Sequence, residues 1–497
     1  MRDFFRNHRL IFILLLASLM ALAFQGGRGL MEPDEGRYSN VALQILKHDD
    51  WISLYRSPDT LHFTKPPLTY WLMAASVSVF GHNEWALRLP SALAFVFTVF
   101  LAFQLGRLFV PKRPWLPALL YLASPAAFFA SNWINTDTVL AATTVLGMTC
   151  YAHYRFGGGN PRWLDGMWLA FGLAFLTKGP PGLLPLLAVI VFAIWHKHGL
   201  ALLRPVGLLA FALVGFGWYA LVIQRHPGLL DYFLGYELAD RIVSNRFQRH
   251  GQWYGPITQF LPILLLGTLP ALAAWLSARK RAQTEAFSRE QTRFLWLWFA
   301  LPLLVFILSR SRLPLYVLGL LLPAIVLLSR RIQVAALGKG YIFALAGWLL
   351  LLFAIKGALP FLLDDHSKDS RAFAADIRPM LPGKPDQIIF VKDMSRNGLN
   401  LYFDADIKKI SFAEHPKPMS DSTYDHGLGT ELRKTGSRRV FIMKRDAEAE
   451  FLKGVGDAGR DAVRLGEWAE AGKPASRTRV IYTLDGEFPR TGPERIP

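Results

Sequence analysis

The chain has 497 residues, 52% of them hydrophobic, and a mean hydropathy of +0.26. Its apolar residues, 36 Phe and 15 Trp among them, come in long blocks, which excludes a soluble globule and indicates a polytopic membrane protein. The net charge of +18 belongs to the part before Phe361, because the tail from there carries 23 Lys and Arg against 22 Asp and Glu; basic loops beside anionic lipid account for it, and no nucleic-acid partner is implied.

In chain order, eleven blocks approach the ~20 residues that cross a bilayer: 10–24, 93–110, 115–131, 138–154, 163–177, 182–195, 206–223, 257–277, 294–309, 313–329 and 341–360. The first also has features of a secretory signal peptide, with Arg2, Arg6 and Arg9 before it and Ala21-Leu22-Ala23 near its end. The block 66–80 is shorter, and its brackets, Lys65 on one side and Gly81-His82-Asn83-Glu84 on the other, mark a re-entrant or interfacial helix. If it does not cross, the basic clusters at Arg107 to Arg113, Arg155 and Arg162, Lys197 and Arg204, 279–289 and Arg330, Arg331 and Lys339 all fall on one side, the cytoplasmic one with the N-terminus.

The tail changes character. Short β-type runs at 387–391, 439–443 and 479–483 alternate with helix-like pieces at 370–381 and 446–455, which reads as a small extracytoplasmic α/β domain over 361–497 after a membrane domain over 1–360. It carries no catalytic motif, no Gly-rich phosphate loop and no metal-ligand spacing. Cys150 is the single cysteine, so the chain has no internal disulfide.

Charged residues that border or interrupt apolar runs are the candidates for function, because a charge in the membrane costs ~3 kcal/mol or more and is normally paired or put to use. The acids Glu32, Asp34 and Glu35 follow the first span, and Arg37, Lys65, Lys178, Arg310 and Arg312 are basic residues on the outer side, against the charge bias. Together they suit an anionic group carried on an apolar tail. Two plainer readings stand beside this one: Arg37 and Lys65 pairing with Asp34 and Glu35, and Lys178, Arg310 and Arg312 reaching to phospholipid headgroups.

The order of these motifs resembles a family. Asp34-Glu35-Gly36-Arg37-Tyr38, Phe63-Thr64-Lys65-Pro66-Pro67-Leu68, Asn83-Glu84 with Arg88-Leu89-Pro90-Ser91, Thr136-Asp137, Thr177-Lys178-Gly179-Pro180 and Ser311-Arg312-Leu313-Pro314-Leu315-Tyr316 are similar to those of the aminoarabinose lipid A transferases, which resemble the protein O-mannosyltransferases in turn. The resemblance covers residues 1–331 and implies a mainly α, GT-C fold of about 11 to 13 transmembrane helices in the bacterial inner membrane, with its catalytic motif in a periplasmic first loop over 28–92. It implies an inverting enzyme that moves a sugar, 4-amino-4-deoxy-L-arabinose or a related one, from an undecaprenyl phosphate carrier to lipid A or another envelope glycolipid. Asp34, Asp137 and Glu35 take catalytic positions. Lys65, Arg37, Tyr38, Lys178, Arg312 and Tyr316 take substrate-binding ones, Lys65 against the donor phosphate, and neither metal nor cofactor is expected.

The chemistry suits these residue types. Displacing a lipid phosphate from an anomeric carbon builds positive charge on the sugar and negative charge on the leaving group, so a carboxylate and a fixed cation oppose the two. A hydroxyl acceptor would need a general base, whereas a phosphate acceptor would not, and Asp34 fits either. Thr64 stands where the aminoarabinose transferases carry an acid, with His62 and Glu84 the nearby groups able to stand in. The loop from Tyr236 and Glu237 through Arg241 and Asn245-Arg246-Phe247 to His250 resembles the family's acceptor-side loop. A protein O-mannosyltransferase and a lipid-sugar flippase are the other readings.

Overall fold

A computed structural model describes residues 8–239, 250–278, 288–333, 337–362, 368–414, 423–469 and 477–488. The chain forms two compact units, one of residues 1–25, 65–69 and 88–358, the other of 26–64, 70–87 and 359–497.

The first unit is helical. Among the described residues six helices are long and apolar enough to cross a membrane: Glu84–Phe109, Pro205–Arg225, Gly255–Ala278, Arg289–Leu308, Pro314–Ile332 and Lys339–Leu362. Arg9–Leu22 and Pro180–Trp195 are shorter apolar helices, as is Leu68–Phe80, whose residues from Tyr70 on belong to the second unit. At 13 residues and a rise of about 1.5 Å each, Leu68–Phe80 is about 20 Å long, short of the ~30 Å hydrocarbon core.

The span expected over 115–131 is broken into Trp115–Leu122 and Pro125–Ala130. Pro125 has no N–H and forces Ser124 into an extended conformation, ψ 113°, from which the Ser124 hydroxyl accepts the Ala127 N–H and starts the second helix.

Helix Arg162–Lys178 packs between Thr136–Phe156 and Pro205–Arg225. A Cβ on Gly172 would stand 3.3 Å from the Phe211 Cα, so the two backbones approach as small residues permit. Phe294 anchors an aromatic core, with ring centroids 5.4 Å from Phe192, 5.6 Å from Tyr151 and 5.7 Å from Phe156. The last long helix is tied in by polar side chains. Tyr341 donates to the Pro270 carbonyl at 2.8 Å, Trp348 to that of Ala123 at 3.0 Å, and the buried Lys356 ammonium to Met20 and Ala21 at 2.9 and 2.6 Å. Those last two carbonyls lie in the final turn of Arg9–Leu22, where a cation is favourable.

The second unit is built on a six-stranded sheet. Strands β1 (Tyr55–Ser57) and β2 (Thr60–Leu61) form a separate small hairpin. The main sheet contains β3 (Gln387–Val391), β4 (Asp406–Ser411), β5 (His426–Gly427), β6 (Arg439–Lys444), β7 (Ala462–Trp468) and β8 (Arg479–Leu484) in the order β5-β4-β3-β6-β8-β7, parallel from β5 to β6 and antiparallel beyond. Alternation along β3 and β6 splits their side chains between two cores. Ile388, Phe390, Val440 and Ile442 meet Phe373 and Ile377, and Ile389, Val391, Phe441 and Met443 meet Phe451 and Val455. Helices therefore cover both faces, which is why these strands read as continuous apolar runs.

The loop after the first span belongs to this same unit. Asp406 accepts from Gln44 at 3.1 Å and Lys47 at 2.6 Å, Asp425 from Ser57 at 2.9 Å and Arg56 at 3.1 Å, and Met31 bridges to Asp369. The sheet's sequence does begin beyond residue 360, but its compact unit also takes in 26–64 and 70–87.

Candidate active site

In the helical unit, Asp137, Lys178 and Tyr316 come together. Asn135 caps helix Thr136–Phe156, its carboxamide oxygen accepting the Thr138 N–H at 2.8 Å, so Asp137 lies in the first turn, where the helix dipole favours a carboxylate. Lys178 is the last residue of Arg162–Lys178, the end that favours a cation, and Gly179 at φ 69° ends that helix before Pro180 and Pro181. The ammonium donates to Asp137 Oδ1 and stands 4.1 Å from the centroid of the Tyr316 ring, a cation–π distance. Asp137 and Tyr316 line a small cavity of about 30 Å³ with Thr144, Pro181 and Phe306.

In the sheet-bearing unit, Asp34 opens helix Asp34–His48. Its carboxylate is two-thirds exposed and accepts from Arg37 Nη2 at 2.6 Å. The Arg37 guanidinium lies 5.3 Å from the Tyr38 ring, which meets Tyr70 at 5.8 Å; Tyr70 Oη is 3.2 Å from His62 Nε2, and that nitrogen is 2.9 Å from Thr64 Oγ1. The Asp34 and Thr64 motifs thus form one connected row, with an acid, a cation, two phenols and an imidazole in sequence.

Other candidates are occupied by the fold. Glu35 is buried, its carboxylate accepting from Arg28 Nη1 at 2.5 Å and Nη2 at 3.1 Å and from the Met31 N–H at 3.0 Å, so it braces the loop where a catalytic carboxylate was expected. Arg312 donates to the carbonyls of His250, Gln252 and Ile307 at 2.7–2.9 Å and thereby holds backbone. Glu84, suggested in place of the missing acid at position 64, accepts from Arg371 Nε at 2.9 Å and Tyr402 Oη at 2.8 Å. Lys65 is half-buried and opens the short 65–69 segment of the helical unit. Of the acceptor-side loop, the side chains of Tyr236 and Glu237 and residues 240–249 lie outside the described residues. Among the described residues no cluster of three His, Cys, Asp or Glu is placed to hold a metal ion.

Sequence reasoning marked Glu32 as one of the acids after the first span and gave it no role. It is buried, and its Oε1 accepts from the Ser370 hydroxyl at 2.9 Å and the Gly398 N–H at 2.6 Å. A Cβ at position 36 would stand 2.1 Å from the same oxygen, so the glycine of the Asp34–Tyr38 motif makes room for this carboxyl. Only the tail supplies its partners, which is why local sequence gave no sign of it.

Burial raises the Glu32 carboxyl to about 7, against the bonds from Gly398 and Ser370 and the nearby Arg396. The folded chain therefore keeps a proton that the unfolded chain releases near pH 4.5. The stability involved is complete below the unfolded value and is lost as pH rises through about 7. Glu32→Gln, which keeps an acceptor oxygen, is expected to flatten the pH dependence of thermal melting across that window and to gain on the order of 1–3 kcal/mol over the parent on its alkaline side.

Comparison with known proteins bears on the fold and on the sequence. Residues 64–221 match the family model described as dolichyl-phosphate-mannose-protein mannosyltransferase. An undecaprenyl phosphate-alpha-4-amino-4-deoxy-L-arabinose arabinosyl transferase 2 of Pseudomonas fluorescens is 30% identical over 358 residues, 70% of this chain and 63% of the relative. The corresponding transferase of Pseudomonas aeruginosa is 31% identical over 346 residues, 67% of this chain and 61% of the relative. The chain thus spans less than two thirds of the length of these relatives. The crystal structure of ArnT from Cupriavidus metallidurans bound to undecaprenyl phosphate superposes with a TM-score of 0.74, covering 96% of this chain and 98% of that one at 19% identity, and its apo form gives 0.71. At that identity the superposition speaks for the fold alone, and in sequence the chain is similar to the undecaprenyl phosphate aminoarabinose transferases over some 350 residues.

Proposed function

We propose that this protein is an inverting glycosyltransferase of the bacterial inner membrane that moves a sugar from undecaprenyl phosphate to lipid A or another envelope glycolipid. The observation that carries the reading is the pair of acid–cation couples at helix ends, Asp34 with Arg37 and Asp137 with Lys178, in a chain whose relatives are named for this transfer. The basic clusters support an N-terminus in the cytoplasm and a bundle of about 11 to 13 crossings.

In this reading the donor's tail lies along the helices, and Lys65 holds its phosphate. The acceptor oxygen attacks the anomeric carbon from the face opposite the phosphate; the new C–O bond forms as the C–O bond to the carrier breaks, and undecaprenyl phosphate leaves with the electron pair. Asp34 faces the developing positive charge and takes the acceptor's proton where the acceptor is a hydroxyl. Asp137 takes a positioning role in the helical unit, held in place by Lys178. Lys65→Ala is expected to raise the KM for the polyprenyl-phosphate sugar by about 10- to 100-fold, the weight of a charge-assisted contact to phosphate, with a smaller change in kcat. Unchanged donor dependence would remove Lys65 from the phosphate site.

A second reading has two observations in its favour. The family model over residues 64–221 is that of protein mannosyltransferases, and Thr64 lacks the acid that suits a cationic amino sugar. Sugar label appearing on a protein band, with lipid A unlabelled, would select it.

A further inference from the structure

Glu32 joins the Asp34 motif to the tail. Just before that motif, residues 30–32 run antiparallel to residues 368–370: the Ser370 N–H donates to the Leu30 carbonyl at 2.9 Å, the Glu32 N–H donates to the Lys368 carbonyl at 2.8 Å, and Met31 bridges to Asp369. On the same stretch, Tyr402 Oη accepts the Leu30 N–H at 3.0 Å. The Glu32 side chain leaves this short ladder for a cradle built from both segments. Its Oε1 accepts from the Ser370 hydroxyl at 2.9 Å and the Gly398 N–H at 2.6 Å, while Oε2 is buried with no hydrogen-bond partner among the described residues. Two glycines leave the room, since a Cβ would stand 2.1 Å from Oε1 at Gly36 and 3.1 Å from it at Gly398.

A carboxyl in such a place is held best when neutral, because an ionised Oε2 would be stripped of water with nothing to replace it. The charged groups on the elements packed around it have partners of their own. On helix Asp34–His48, Asp34 meets Arg37 and Glu35 meets Arg28; at helix Ser370–Ile377, Asp369 caps the first turn and Arg371 meets Glu84. On the segment 393–398, Asp393 meets Arg479, and Arg396 lies 3.6 Å from the centroid of the Phe373 ring, its charge favouring the ionised carboxyl without overcoming burial. Asp34 comes two residues after Glu32, on the first turn of a helix whose Gly36 abuts the Glu32 carboxyl. Fixing Glu32 therefore fixes the start of that helix, and Asp34 with it. We propose that Glu32 is a positioning residue whose neutral carboxyl locks the Asp34 motif onto the tail, and that through this lock the tail contributes to transfer. The contribution to transfer rests on the function proposed above; the lock itself does not.

The test joins hydrogen–deuterium exchange to kinetics on the full-length protein in detergent. A lock made by a neutral carboxyl weakens as pH rises from the unlocked value near 4.5 to about 7. Corrected for intrinsic exchange rates, opening of residues 30–38 should rise by about 50- to 100-fold from pH 5 to pH 8 in the parent and stay nearly level in E32Q, which keeps an acceptor oxygen and carries no charge. E32A should open the segment at both pH values and lower kcat by about 10- to 100-fold, with the donor KM changed by about twofold or less, and E32Q should restore kcat. G36A, which drives a Cβ into the carboxyl from the helix side, should repeat the kcat loss with the acid still present, and it decides the matter where E32A does not fold. Added to E32A, it should cost little more. Exchange that does not rise with pH in the parent, or that rises equally in E32Q, would overturn the proposal. So would exchange that follows the lock while E32A and G36A keep the parent kcat. Exchange that follows the lock in a protein that transfers no sugar would uphold the lock and remove the transferase reading.

Discussion

Asp34→Asn is expected to insert, fold and melt like the parent while losing sugar transfer by about 10²- to 10⁴-fold, the range for removing a general base or a preorganised charge. The side chain is two-thirds exposed on the first helical residue, so asparagine keeps the shape and gives up only a surface pair with Arg37 and part of a favourable dipole contact, together about 1 kcal/mol or less. A large catalytic loss at nearly constant stability is the signature of a residue placed for chemistry. It would also separate Asp34 from Glu35, whose removal should instead lower the melting temperature, because the buried Arg28 would lose the carboxylate that it now meets at 2.5 Å.

The second large effect concerns the Asp137–Lys178 couple, whose side chains are 13% and 6% exposed. Removing one member of such a pair leaves a nearly buried charge, at a cost of about 3–5 kcal/mol, so Lys178→Met should lower both melting temperature and transfer. The double variant Asp137→Asn/Lys178→Met removes both charges and should recover most of the stability. If the couple serves transfer, activity should stay low in the double variant. If it only holds the helices together, activity should return along with the melting temperature. Melting in detergent and a donor-consumption assay on the three proteins read both quantities.

Much of this arrangement was legible in the sequence because it is local or compositional. The apolar blocks gave the helices, and the runs at 387–391, 439–443 and 479–483 became β3, β6 and β8. Asp137 and Lys178 were marked because charges beside spans are costly, and their pairing needed only two helix ends to meet. What could not be read depends on distant partners. Nothing near Glu84 announces Arg371 and Tyr402, nothing near Glu32 announces Ser370 and Gly398, and nothing near Lys356 announces the free carbonyls of Met20 and Ala21. In each case an acid or a lysine that could have been taken for chemistry is satisfied by a segment about 280 or more residues away in the chain, a pairing that hydropathy and spacing carry no trace of. The break at Pro125 is the opposite case: proline was in view, and the apolar run on either side hid its effect.

The measurement that bears most directly on the central claim is mass spectrometry of lipid A and the other envelope glycolipids from cells carrying the parent protein, the Asp34→Asn variant or neither. The account predicts a sugar-sized mass increment on a glycolipid in the first cells only, with the increment giving the sugar and the shifted species the acceptor. Identical glycolipid profiles in all three, with the parent protein present in the membrane, would contradict it.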